Sequence, residues 1–276
     1  MMRRSMRPLG IFGIVNLTRD SFSDGGRYLE ADRGLAHARA LREAGADVLD
    51  LGAESTHPDA EDVAAAEELR RLEPVVAELV ADGAEVSVDT TKAQVMRRVT
   101  ALGAAWINDV NGFRDEAAMQ AAADAPGHVR FVAMFSRGLG PRAERPDAGA
   151  AGLLDELRRF FDERRAAFEA AGVDPSRVVF DPGMGFFLGR EAGPSLTVLK
   201  HLASLTDSHG PLLVSVSRKS FLGEVTGRAV AQRGAATLAA ELAAARRGVG
   251  YVRTHDVGAL RDALAVEAAI DGASGG

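Results

Sequence analysis

One alternation repeats along the chain. A stretch with apolar residues spaced for one helical face ends at a glycine, and a short apolar run then closes on a polar residue. Residues 31–44 end at Gly45 and lead into 48–51, residues 64–82 end at Gly83 and lead into 86–89, and residues 91–102 end at Gly103 and lead into 106–109. The same holds for 153–171, Gly172 and 178–181, and for 235–247, Gly248 and 251–254. Each glycine suits the left-handed position just past a helix, where a Cβ would clash. Each apolar run has strand length without strict alternation, as expected of strands buried on both faces of a parallel sheet. Runs at 9–15, 129–134 and 212–215 bring the count to about eight β-then-α units.

Eight such units in 276 residues predict an α/β fold, a single (β/α)8 TIM barrel spanning the chain, with flexible ends at 1–8 and 272–276. The irregular stretch 137–149 follows the fifth strand and reads as a long βα loop rather than a domain boundary. Chemistry in such barrels sits at the C-terminal strand ends. Those ends offer Asn16, Asp50, Asp89, Asn108, Met134, Asp181, the segment 217–220, and Arg253 with His255. A buried carboxylate needs donors or a cation, and Lys219 is the nearest candidate cation for Asp89 and Asp181.

Composition removes several classes. The net charge of −6 argues against a nucleic-acid partner. With no cysteine, disulfides, thiolate metal sites and thiol catalysis are excluded. No histidine pair has zinc-site spacing, and the glycines of 183–189 are mis-spaced for a dinucleotide fingerprint. The apolar run at 9–15 is too short to span a bilayer and lacks a cleavage site after it, so a cytoplasmic protein with no membrane partner is expected.

Six segments are specific: Asn-Leu-Thr-Arg-Asp-Ser-Phe-Ser-Asp-Gly-Gly from Asn16, Ser-Val-Asp-Thr from Ser87, Ile-Asn-Asp-Val from Ile107, Asp-Pro-Gly-Met-Gly-Phe from Asp181, Ser-Arg-Lys-Ser-Phe-Leu-Gly from Ser217 and Arg-Thr-His-Asp-Val from Arg253. Together, over residues 10–257, they resemble dihydropteroate synthase, the folate-pathway enzyme that joins 6-hydroxymethyl-7,8-dihydropterin pyrophosphate to para-aminobenzoate. The resemblance implies a pterin site of Asp89, Asn108, Met134, Asp181 and Lys219, with Asp89, Asp181 and Lys219 catalytic. It implies a pyrophosphate site of Asn16, Arg253 and His255, aided by free amides of the following helix, with Asn16 helping to hold Mg²⁺. The arylamine pocket would use Thr56, Pro58, Phe186, Phe187 and Ser220, under a lid formed by 20–26. The implied chemistry is dissociative and needs no strong base, because an aniline nitrogen is already a neutral nucleophile. A homodimer is expected from the family.

Departures crowd the second-substrate side. Arg19, His57 and Asp59 replace common Pro, Arg and Gly, Phe135 replaces His, and Phe187-Leu188 stand where Gly-Lys is common. Several are similar to the acquired sulfonamide-insensitive synthases, so reduced sulfonamide sensitivity is expected. Phe187 is read as a steric block at the barrel rim, with simple packing as the alternative; Met134 is read as a ring-face contact, with a plain core methionine as the alternative. Two other functions stay open: a non-condensing pterin-binding homologue, and a pterin-dependent methyltransferase barrel. The latter would leave Lys219 and the Arg253/His255 pair without a clear purpose.

Overall fold

The computed structural model describes residues 8–18, 27–55, 61–138, 140, 142–144 and 146–273. Strands β1 (Gly10–Asn16), β2 (Val48–Gly52), β3 (Val86–Asp89), β4 (Trp106–Asp109), β5 (Arg130–Met134), β6 (Val178–Asp181), β7 (Leu213–Val214) and β8 (Tyr251–Thr254) pair in parallel in the order β6-β5-β4-β3-β2-β1-β8-β7. A parallel bridge between Phe180 and Leu212 joins β6 to β7 and closes the barrel. Helices α1 (Arg27–Glu43), α2 (Ala65–Ala81), α3 (Ala93–Ala101), α4 (Glu116–Asp124), α5 (Leu153–Ala170), α6 (Ala192–His209), α7 (Ser220–Thr226), α8 (Gly234–Ala245) and α9 (Val257–Gly272) alternate with the strands. This is the (β/α)8 barrel that the alternation predicts. Among the described residues, no helix is long and apolar enough to cross a membrane.

Helix ends follow the glycines. At Gly45, Gly83, Gly103 and Gly172, φ is +99°, +71°, +102° and +78°. At each, the next amide returns to the carbonyl five residues back, as from Ala46 to Leu41 at 2.9 Å and from Ala104 to Val99 at 3.0 Å. These are Schellman closures, which satisfy carbonyls a helix end leaves open. Gly248 differs: α8 ends at Ala245, so that glycine falls one position later.

Strand periodicity sorts the barrel into layers, since residues two apart share a face. Phe12, Val48, Trp106, Val132, Val179 and Leu213 form one buried apolar cluster, a floor with one residue from each of six strands. Phe12, Trp106 and Tyr251 meet edge to face, with centroids 5.1 to 5.6 Å apart. Two residues further along the same strands come Ile14, Asp50, Asn108, Met134, Asp181, Ser215 and Arg253. The barrel interior therefore turns from apolar to polar in one step toward its C-terminal mouth. Register levels the ends: Asn16 lies beside Gly52, Gly52 beside Asp89, Asp89 beside Asn108, and Met134 beside Asp181.

The stretch after β5 is the long βα loop that composition predicts. Arg137 fastens it, donating to both Glu156 oxygens and to the carbonyls of Ala148, Gly149 and Leu188.

Candidate active site

The C-terminal mouth opens into a cavity of about 640 Å³. Asn16, Asp89, Phe186, Phe187, Lys219, Ser220, Arg253 and His255 all line it. Eight of the residues singled out from the sequence thus share one wall, although they come from five different strand ends. Asn108, Met134 and Asp181 do not line the cavity; they are buried in the layer just described. Thr56 and Pro58, with Arg19, His57, Asp59 and the lid segment 20–26, lie outside the described residues.

Arg253 organises the lumen. Its Nε donates to Asp50 Oδ2 and its Nη2 to Asp89 Oδ2, the latter at 2.8 Å. Ser87 Oγ donates to the other Asp50 oxygen. The cation paired with Asp89 is therefore Arg253 and not Lys219, which corrects the sequence-based expectation. The strand register explains it: β8 closes against β1, next to β2, and brings the guanidinium over Asp50 and Asp89.

Burial pushes the Asp89 carboxyl up to about 7; Arg253 opposes the rise, while Asp50 and Asp109 reinforce it. Burial likewise raises Asp181 to about 6, against a hydrogen bond from the Gly183 amide and the charge of Lys219. Lys219 is pushed down to about 8 by burial and by Arg253, with Asp181 and Asp89 pulling the other way. Burial works against the Arg253 charge as well, but Asp50 and Asp89 outweigh it and hold its pKa above the ordinary range. Asn108 Oδ1 is buried with no hydrogen-bond partner. An acceptor left in that state is costly, and a ligand N–H would satisfy it.

His255 sits opposite, its Nδ1 2.9 Å from Ser217 Oγ. That oxygen also accepts the His255 amide at 3.3 Å. In the tautomer in which the hydroxyl donates to Nδ1, the imidazole proton stands on Nε2. Burial and the charges of Arg218, Arg253 and Lys219 push the ring down to about 3, so it is a neutral donor near pH 7. The amides of the next helix are less free than expected, because Asp256 caps α9 and accepts from Ala259 at 3.1 Å. An anion here meets side chains before it meets a helix terminus. Asn16, exposed at the end of β1, offers one carboxamide oxygen. Among the described residues, no group of three His, Asp or Glu could cage an ion.

Residues 12–255 match the family described as pterin binding enzyme. The type-2 dihydropteroate synthase of Escherichia coli is 47% identical over 265 residues, covering 96% of this chain and 97% of that one. The type-3 enzyme of Escherichia coli is 42% identical over 261 residues, covering 94% and 98%. The solved dihydropteroate synthase of Xanthomonas albilineans with 4-aminobenzoic acid superposes with a TM-score of 0.88 at 42% identity, covering 96% and 94% of the two chains. The chain belongs to the dihydropteroate synthase family.

Within that family, Phe187 is the departure the structure places most clearly. Phe186 and Phe187 fall in a 3₁₀ turn, Gly185–Phe187. Three residues per turn send consecutive side chains well apart. Phe186 is half-buried at the cavity. Phe187 is buried among Val110, Met134 and Ala143, with the Lys219 ammonium 5.3 Å above its ring. It is a wall under Lys219 rather than a ring projecting from the rim. Leu188 is fully buried in the main core. Met134 packs in the same buried cluster as Phe187, which does line the cavity.

The sequence reading missed the parts played by three residues, Asp50, Arg218 and Arg233. Asp50 was visible only as one more strand end, and its role needed Arg253. Arg233 and Arg218 also line the cavity. Arg233 lies just before α8, away from every strand end, and no local pattern marks it.

Proposed function

We infer that the chain is a transferase, a dihydropteroate synthase that condenses 6-hydroxymethyl-7,8-dihydropterin pyrophosphate with para-aminobenzoate to give 7,8-dihydropteroate and pyrophosphate. One observation carries the reading: Asp89 and Lys219 in the cavity wall, with Asn108 and Asp181 buried in the adjoining layer, form a ring-recognition set at the same barrel mouth as an anion set of Asn16, Arg253 and His255. Asp181 accepts from the ring amino group and ring N–H with the oxygen Gly183 leaves free. Asn108 Oδ1 accepts a further N–H. Lys219 donates to a ring acceptor. Asp89, whose ionised form Arg253 favours, accepts a ring N–H and, when ionised, favours positive charge developing next to it. The exocyclic C–O bond breaks, pyrophosphate leaves, the arylamine nitrogen forms the new C–N bond, and its proton passes to solvent or pyrophosphate. His255 Nε2–H and Asn16 hold the leaving group.

The site suits an Mg²⁺ that arrives with the pyrophosphate, because Asn16 supplies one hard oxygen and the phosphates the others. Such an ion neutralises the leaving group. The arylamine pocket adds Ser220 and Phe186 to loop residues Thr56 and Pro58. We extend the proposal to a single-domain homodimer working in the cytoplasm with reduced sulfonamide sensitivity. Similarity to the type-2 and type-3 synthases and a bulky Phe187 wall support the last point.

Incubating purified protein with the two substrates and Mg²⁺ and separating products by chromatography tests the reaction. Dihydropteroate and stoichiometric pyrophosphate are expected. Pterin binding without product would favour the non-condensing homologue, and methyl transfer from a methylated pterin would favour the methyltransferase barrel.

A further inference from the structure

Two non-glycine residues among those described have left-handed backbone: Phe113, with φ +55°, and Arg218, with φ +58°. L side chains disfavour that region, and such residues persist only where their surroundings hold them. Phe113 is held by Asp109, whose Oδ2 accepts its amide at 2.7 Å. Arg218 is held from α8. Its amide donates to Thr237 Oγ1 at 3.0 Å, and its carbonyl accepts from Arg233 Nη1 at 2.9 Å. The same Nη1 reaches the Lys219 carbonyl at 3.3 Å, and Arg233 Nε reaches the Arg228 carbonyl at 3.1 Å. One side chain thus ties together the residues on both sides of α7.

Gly223, inside α7, makes this possible. A Cβ there would sit 2.2 Å from Arg233 Nη2 and 2.6 Å from its Cζ. Glycine is a poor residue within a helix, and here it provides the flat surface along which the guanidinium passes. Arg218 immediately precedes Lys219, the N-cap of α7, and then Ser220. Its conformation therefore decides whether those two side chains enter the cavity.

We propose that the start of α8, through Arg233 and Thr237, is a clamp that holds Arg218 left-handed and thereby aims Lys219 and Ser220 at the substrates. Arg233 and Thr237 are positioning residues. Their hydrogen bonds go to backbone, and they act through Lys219. The inference rests on the dihydropteroate synthase reading, and it also has a readout independent of activity.

The chain has three lysines, Lys92, Lys200 and Lys219. Lys200 is exposed and serves as an internal reference. Acetylation with a water-soluble ester, followed by peptide mass spectrometry, reports how far Lys219 is held inside. Three variants open the clamp by separate routes: Gly223→Ala displaces the guanidinium, Thr237→Val removes the acceptor, and Arg233→Met removes the donors. Thr237→Ser keeps the hydroxyl. In all three opening variants, Lys219 labelling relative to Lys200 should rise and kcat/KM for the pterin pyrophosphate should fall, each by about tenfold, as for loss of a charged or buried hydrogen bond. Thr237→Ser should stay near wild type. Gly223→Ala should still unfold cooperatively, because alanine favours the helix and offsets part of the hydrogen bonding lost as the guanidinium swings away.

Unchanged Lys219 labelling in Gly223→Ala and Thr237→Val would overturn the clamp, whatever the enzyme's activity. So would a loss confined to Arg233→Met, which would make Arg233 a direct anion ligand. A wild-type protein that makes no dihydropteroate, yet labels as predicted, would overturn the functional reading and leave the clamp standing.

Discussion

Replacing Arg253 by methionine separates two roles for that side chain. The guanidinium is 17% exposed and faces Asp50 at 0% and Asp89 at 11%. Removing it leaves two carboxylates in the lumen with no charge between them. Breaking a buried pair from one side costs about 3–5 kcal/mol of stability. Asp89 stands at about 7 with Arg253 in place, and that arginine is the principal force holding it down. Without it the carboxyl rises further and is protonated at neutral pH. A charge-assisted acceptor bond, worth roughly 1.5–3 kcal/mol, then becomes an ordinary one of about 1 kcal/mol. The loss of about 0.5–2 kcal/mol predicts roughly two- to thirtyfold weaker binding of bare hydroxymethylpterin, a ligand with no phosphate.

Calorimetric titration of hydroxymethylpterin and its pyrophosphate into both proteins, from pH 6 to 9, tests this. Raising the pH re-ionises Asp89, so the binding curve of Arg253→Met should lie at higher pH than that of wild type. Wild type should turn down as Lys219 loses its proton near 8, and Arg253→Met at higher pH, because Arg253 is one of the charges that lower Lys219. Adding Asp50→Asn removes the repelling carboxylate and should restore part of the affinity. Wild-type binding of the bare pterin by Arg253→Met at pH 7, with loss confined to the pyrophosphate, would refute the reasoning and make Arg253 an anion ligand alone.

Asp181→Asn should weaken pterin binding at least about tenfold: Gly183 takes the amide oxygen, the amide NH₂ faces a ring donor, and each unpaired group costs roughly 1–3 kcal/mol; unchanged calorimetric affinity would place the pterin elsewhere. Wild type should be inhibited poorly by sulfamethoxazole. Phe187→Gly should lower its inhibition constant about ten- to two-hundredfold with a smaller change in the para-aminobenzoate KM, and should lower the melting temperature because the ring is buried; an inhibition constant left where it was would discard the block. The ligand-free protein should be less stable at pH 7.5 than at pH 5.5. Burial raises Asp89, Asp109 and Glu241 to about 7 and Asp181 to about 6, above their unfolded values, so their contribution is complete below about pH 4 and is lost as pH rises through 6 to 7. His255, lowered to about 3, acts in the opposite sense up to about 6.5 but is one group against four. Urea titrations showing greater stability at 7.5, or no flattening of the slope in Asp89→Asn, would contradict this.

What could be read from the residues was set by period and punctuation. Helix-closing glycines and strand-length apolar runs are local, so the strands at 86–89, 106–109, 178–181 and 251–254 fall where the pattern puts them. The candidate site was legible for the same reason, because strand ends are local features and the barrel brings all eight to one mouth. Pairing was not legible. Arg253 and Asp50 are 203 residues apart, and their bond depends on how β8 closes against β1 and on which face each residue takes. Phe187 looked like a rim residue because it follows Phe186. The 3₁₀ turn separates them, and turn type at 185–187 has no signal beyond one glycine. Arg233 acts across α7 on backbone atoms, and backbone acceptors leave no mark in a sequence.

These unreadable pairings set the electrostatics of the site. In the lumen Asp50, Asp89 and Asp181 face Arg253 and Lys219, with His255 neutral, and Glu54, Arg218 and Arg233 also line the cavity. Burial raises both Asp89 and Asp181, and at Asp89 the neighbouring Asp50 and Asp109 add to the rise against Arg253. A pterin presenting N–H donors to these buried carboxyls would favour their ionised forms, and one that becomes cationic as its C–O bond breaks would favour them further. The interaction is thus stronger in the transition state than with the bound substrate, which is the condition for acceleration rather than mere affinity. On the proposed anion side, Asn16, a neutral His255, Arg218 and Arg233 line the cavity, while Arg253 is already engaged with Asp50 and Asp89 and would have to share its charge between them and the leaving group.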